Sequence, residues 1–112
     1  MARASGNIFA ELSDKAGAEE FMTLLAAPHL TIERIVSTGQ ATPPGQWLEQ
    51  DRAEWVILLQ GAAALSFEGE ASPQVLSRGD YVAIAPRRRH RLEWTAPNGA
   101  TVWLAVHFDG DG

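Results

Sequence analysis

The sequence predicts an all-β domain, a sandwich or barrel, with one short helix ahead of it. Short apolar segments rich in β-branched residues recur at close intervals from Leu30 to Phe108. Turn chemistry falls between them, in Gln60-Gly61, EGEASP, SRGD, APRRR and APNGA. No helical pattern long enough for a parallel crossover separates any two of them. At 112 residues the chain can close a single hydrophobic core without staples. The expected organisation is one domain, with residues 1–29 as an extension that holds the helix and residues 30–112 as the barrel.

The helix is expected over 18–26, AEEFMTLLA, where Phe21, Leu24 and Leu25 stand at helical spacing. Ser13 or Asp14 would cap it, Pro28 would stop it, and His29 would meet its last carbonyls. From Leu30 to Ser37, LTIERIVS, the period changes to two, and GQATPPG over 39–45 reads as a loop. Further strands are expected at 46–50, 54–60, 63–67, 74–76, 81–84, 90–95 and 102–108. Two of these are apolar on both faces. In EWVILLQ, Val56 and Leu58 share a side with Glu54, and Trp55, Ile57 and Leu59 take the other. In TVWLAVHF, Val102, Leu104, Val106 and Phe108 oppose Trp103, Ala105 and His107. A strand with one wet face alternates more cleanly, so a second cover is needed, and a homodimer that buries Trp55 or Trp103 is the expected one.

Composition removes several functions. With no cysteine there is no disulfide, thiolate metal site or thiol nucleophile. A net charge of -5, with one lysine against eight arginines, disfavours nucleic acid and anionic membranes as partners. MARASGNIFAELSDKAG lacks the apolar run of a signal peptide, and no segment approaches the roughly 20 apolar residues that cross a bilayer. A soluble, cytoplasmic chain is expected. No Ser-His-Asp spacing, Walker loop or dinucleotide fingerprint occurs. The one basic run, Arg87, Arg88, Arg89 and Arg91, has two readings. It is solvated charge paired to Glu93, Glu49 or Asp51, or it is a fork that recognises a carboxylate or phosphate.

Residues 42–94 resemble a cupin, a small β-barrel with the motifs G-x5-H-x-H-x3or4-E-x6-G and G-x5-P-x-G-x2-H-x3-N. Glu54 and Gly61 in EWVILLQG hold the E-x6-G spacing. In GDYVAIAPRRRH, Gly79 and His90 hold the spacing of the second motif, with Ala85 for proline, Arg87 for glycine and Trp94 for asparagine. The two histidines of the first motif are missing: a three-residue gap puts Leu48 and Gln50 there, and a four-residue gap puts Trp47 and Glu49. WLEQDRAEWVILLQG also looks like a group of small single-domain cupins that keep tryptophan, glutamine and glutamate in this stretch. The resemblance implies a cupin-type double-stranded β-helix, or jelly-roll barrel, that retains two of four family metal ligands, Glu54 and His90.

With Gln50 as a third donor, Glu54 and His90 are candidate ligands for a divalent metal, iron, zinc or manganese. The same pair, hydrogen-bonded to each other with no ion, is the structural alternative. Strand parity aims Val56 and Leu58 inward with Glu54, and Leu92 and Trp94 inward with His90, and an apolar surround would raise the Glu54 pKa. If Val106 and Phe108 face the core, His107 faces away from it; under the reverse parity His107 enters the pocket as a further nitrogen donor. Trp47 and Trp94 are candidates to stack on a ligand at the barrel mouth, and Tyr81 to place its hydroxyl at the rim. Arg87 or Arg89 would attract a carboxylate. The expected function is a small-molecule site for a polar or anionic ligand. Were it an enzyme, Glu54 or His90 would be the general base. The alternative is a non-catalytic binding or sensing module without a metal.

Overall fold

The structure, a computed structural model, describes residues 4–12 and 17–110. Its eight strands are β1 (Glu20–Ala27), β2 (Leu30–Ser37), β3 (Ala53–Gln60), β4 (Ala63–Phe67), β5 (Gln74–Leu76), β6 (Tyr81–Ile84), β7 (His90–Thr95) and β8 (Thr101–Phe108). They form a five-stranded sheet ordered β1-β2-β8-β3-β6 and a three-stranded sheet ordered β5-β4-β7, with every pairing antiparallel. The core between the sheets holds Val56, Leu58, Leu65, Phe67, Trp103 and Ala105, all buried. Among the described residues no helix is long and apolar enough to cross a membrane.

The expected helix is a strand, and the described residues contain no α-helix. EFMTLLAA turns through Pro28-His29 and pairs with β2 from Glu20↔Val36 to Ala27↔Leu30. A bulge between Thr23 and Leu25 slips the alternation by one residue, which is why Phe21, Leu24 and Leu25 stand at a spacing that mimics a helix. Ser13 and Asp14, the expected caps, lie outside the described residues. Without a helix His29 has no terminal carbonyls to meet; it sits exposed in the hairpin turn, its Nδ1 2.6 Å from Asp109 Oδ2. The strand expected at 46–50 reduces to a single bridge, Leu48↔His90.

The register between β3 and β8 fixes the two faces of the large sheet. Glu54 stands opposite His107, Val56 opposite Ala105 and Leu58 opposite Trp103, so all six share the inner face. Trp55 stands opposite Val106 and Ile57 opposite Leu104, on the outer face. Trp103 therefore belongs to the core, where it is 4% exposed and its Nε1 donates to Ser37 Oγ at 3.2 Å. Trp55 lies outside and meets Tyr81, ring centroids 5.6 Å apart.

Candidate functional site

One end of the sandwich is hollow. A cavity of about 320 Å³ opens between the sheets, walled by Val56, Leu65, Ile84, Leu92 and Trp103. β3 brings Glu54, β8 brings His107, β2 brings Glu33, and β7 opens with His90. The loop before β3 adds Leu48, Glu49 and Gln50. Two backbone hydrogen bonds tie that loop to β7, Leu48 N to His90 O at 2.7 Å and His90 N to Leu48 O at 3.0 Å.

Gln50 is held from a second direction. The Arg87 amide donates to its carbonyl oxygen at 2.7 Å, and Arg87 adopts φ of 59°, the left-handed region that glycine enters at least cost. This is the position where the resemblance expects glycine. Arg87 thus acts through its backbone, and its guanidinium is exposed, 3.9 Å from Asp51.

The polar groups form two separate pairs. Gln50 Nε2 donates to Glu54 Oε1 at 2.9 Å. His107 Nε2 lies 2.9 Å from Glu33 Oε1. His90, 7% exposed, uses Nδ1 on the Arg88 carbonyl oxygen at 2.8 Å. Glu54 and His90 line one cavity, yet each has a different hydrogen-bond partner, so the direct pair expected as the structural alternative does not form. Burial raises the Glu54 pKa above the usual carboxylate range; His107, His90 and the Gln50 hydrogen bond offset part of that, and Glu33 adds to it.

Of the expected site residues, Gln50, Glu54 and His90 line the cavity. Trp47, Tyr81, Arg87, Arg89 and Trp94 do not. Trp47 is 36% and Tyr81 66% exposed, and Tyr81 stands opposite Ile57 on the outer face. Trp94 follows a bulge: β7 aligns Leu92 with Leu65 but Trp94 with Ala64, so the inward parity of His90 and Leu92 ends at Glu93 and Trp94 turns out. Arg89 lies at the surface between Glu49, at 3.3 Å, and Glu68, at 3.2 Å. Arg88 pairs with Glu70 and Arg91 with Glu93. The basic run is laced into ion pairs, with Arg91 largely buried against the carbonyls of Thr42, Pro43 and Gln46, and none of its guanidinium groups lines the cavity.

The residues that the sequence did not single out are Glu19 and Glu33, while His107 follows the inward of its two parities. Glu33 was readable in part, because it shares its face with Ile35 at period two within LTIERIVS.

A scan against protein-family models found no match, and a search of curated proteins found none. Among solved structures, a Ralstonia eutropha JMP134 protein provisionally described as a mannose-6-phosphate isomerase superposes with a TM-score of 0.93; it is 42% identical, over 96% of this chain and 100% of that one. A cupin superfamily protein from Desulfitobacterium hafniense DCB-2 gives a TM-score of 0.75 at 13% identity, covering 98% of this chain and 95% of its own. This chain has the cupin fold. An RmlC-like cupin from Methanocaldococcus jannaschii with a double-stranded β-helix fold shares the architecture, with a TM-score of 0.68 at 17% identity over 88% of this chain and 87% of its own.

The fold family implies a divalent metal in the barrel, and the side chains of this cupin do not fit one. Among the described residues no group of three or more His, Asp or Glu side chains is arranged to hold an ion. Leu48 offers hydrocarbon where a ligand would stand. Gln50 turns its amide N–H toward Glu54, and His107 is engaged with Glu33. In the expected set, Gln50 bonds Glu54 and His90 bonds the Arg88 carbonyl.

Proposed function

We propose that this cupin is a small-molecule-binding barrel that holds its ligand through Gln50, Glu54, His90 and His107 without a metal. The observation that carries this reading is a cavity of about 320 Å³ with an apolar wall and a few convergent polar groups, the ordinary form of a ligand site. A buried carboxyl whose pKa is pushed up, beside two imidazoles, is the usual company of a binding or proton-transfer site. Nuclear magnetic resonance of chelator-dialysed protein against a small-molecule fragment set tests it. Shifts at Gln50, Glu54, His90 and His107 are expected; binding that arises only after a divalent metal is added would contradict it.

The name of the Ralstonia protein supplies a second reading, isomerisation by proton transfer between neighbouring carbons. What favours it here is Glu54, a carboxyl whose pKa burial raises, with His90 lining the same cavity as the partner base. A sugar phosphate lacks support from the cavity wall, which carries no arginine or lysine among the described residues.

The partner of the outer face, on this reading, is a second copy of the chain. Trp55, Ile57, Leu104 and Val106 make a continuous half-buried apolar patch across β3 and β8, flanked by Tyr81, of the kind that self-association buries.

A further inference from the structure

Four glutamates reach the cavity, Glu19, Glu33, Glu49 and Glu54; Glu49 is paired with Arg89 from outside, and among the described residues the lining holds two imidazoles and no lysine or arginine to balance the other three. Hydrogen-bond direction sharpens that imbalance. The Arg88 carbonyl can only accept, so Nδ1 of His90 donates to it, and a ring that carries a single proton then presents Nε2 as a lone pair. No described residue partners that nitrogen, although His90 is more than nine-tenths buried and lines the cavity. His107 is held in the other sense, its Nε2 donating to the Glu33 carboxylate. Glu54 receives a hydrogen bond on Oε1 and has Oε2 to spare. The open valences of this wall call for donors.

We propose that the cavity binds a small organic cation, a protonated amine whose N–H groups bond to Glu54 and to Nε2 of His90 while its hydrocarbon part rests on Leu92 and Trp103. The inference rests on the cavity being a ligand site that works without a metal. A phosphate or carboxylate ligand would face glutamates with no cation to receive it, because the arginines are spent on ion pairs. A neutral polyol donates hydrogens too, but it leaves the buried carboxyl of Glu54 without a compensating charge, and an ammonium supplies one. The size is right for a small molecule, since about 320 Å³ lies near the lower end of ligand cavities.

Three probes decide it: cyclohexylammonium, cyclohexanol and mannose 6-phosphate, titrated calorimetrically into the full chain after dialysis against chelator. The cation is expected to bind about tenfold more tightly than cyclohexanol or better, and the phosphosugar not at all. Glu54→Gln is expected to weaken the cation about tenfold and cyclohexanol by far less. Should that variant fail to fold, His90→Leu, which removes the Nε2 acceptor, makes the same test. Tighter binding of cyclohexanol or mannose 6-phosphate, with shifts at His90 and Trp103, overturns the cation and leaves the metal-free site standing. Cation binding that both variants leave unchanged, or no binding of any probe, also overturns it. Only a fragment set that shifts none of the cavity residues would take the binding site down as well.

Discussion

Glu54→Gln keeps the shape of the side chain and the oxygen that Gln50 Nε2 bonds, and it removes the charge. Burial is the largest influence on this carboxyl and raises its pKa above 4.5, with His107 and then His90 opposing. The folded protein thus holds this proton more tightly than the unfolded chain does. Stability from that difference is fully present below about pH 4.5 and is lost as pH rises through the raised folded value. Within that window the wild type loses at most about 1.4 kcal/mol per pH unit relative to the variant, the limit for one proton. Above it the difference stays constant. Glu54→Gln is therefore expected to be the more stable protein at neutral pH, with the advantage closing in acid. Urea unfolding followed by tryptophan fluorescence, repeated from about pH 4 to about pH 8 with constant m-values, reads it directly. A difference that ignores pH, or that widens toward acid, would refute a Glu54 whose pKa burial raises.

The remaining expectations concern the frame around the site. Gly61 has φ of 92°, and a Cβ there would meet Thr101 Oγ1 at 2.4 Å and Thr101 Cα at 2.8 Å. Gly61→Ala should cost about 2–5 kcal/mol in chemical denaturation, the sum of left-handed strain and overpacking. Arg89→Ala removes two surface ion pairs and no cavity group; ligand affinity should stay within about twofold and the thermal midpoint should not move measurably. Trp55→Glu places a charge in the outer apolar patch, and light scattering of a chromatographed sample should show a dimer becoming a monomer. A wild type that is already monomeric at high concentration would remove the second copy from the account.

The β-architecture was legible because period two and turn chemistry agree along most of the chain. Seven of the structure's strands, β2 to β8, lie where alternation between Leu30 and Phe108 puts them, within a residue at each end. Beyond the strand expected at 46–50, which reduces to one bridge, the two failures of pattern trace to bulges, since one extra residue inverts every face that follows it. At Leu24 the slip disguised a strand as a helix, and this exposed edge strand has no strong alternation to betray itself. At Glu93 it turned Trp94 from the cavity to the surface.

The cavity was legible where two spacings agreed, at Glu54 and His90, and less so where tertiary register decides. His107 could be placed on either face until the β3–β8 register set it opposite Glu54. Glu33 comes from a strand far away in sequence, and nothing in LTIERIVS says which partner its carboxylate meets. The arginine run read two ways because a guanidinium reaches several ångströms from its backbone. Here that reach ends on Asp51, Glu49, Glu68, Glu70 and Glu93.

The most direct test is elemental analysis of this cupin purified without a metal-affinity tag, beside the same analysis of Glu54→Ala and His90→Ala. A wall of Gln50, Glu54, His90 and His107 that bonds its ligand unaided predicts iron, zinc and manganese far below one per chain in all three proteins. A stoichiometric metal in the wild type that disappears in both variants would contradict it.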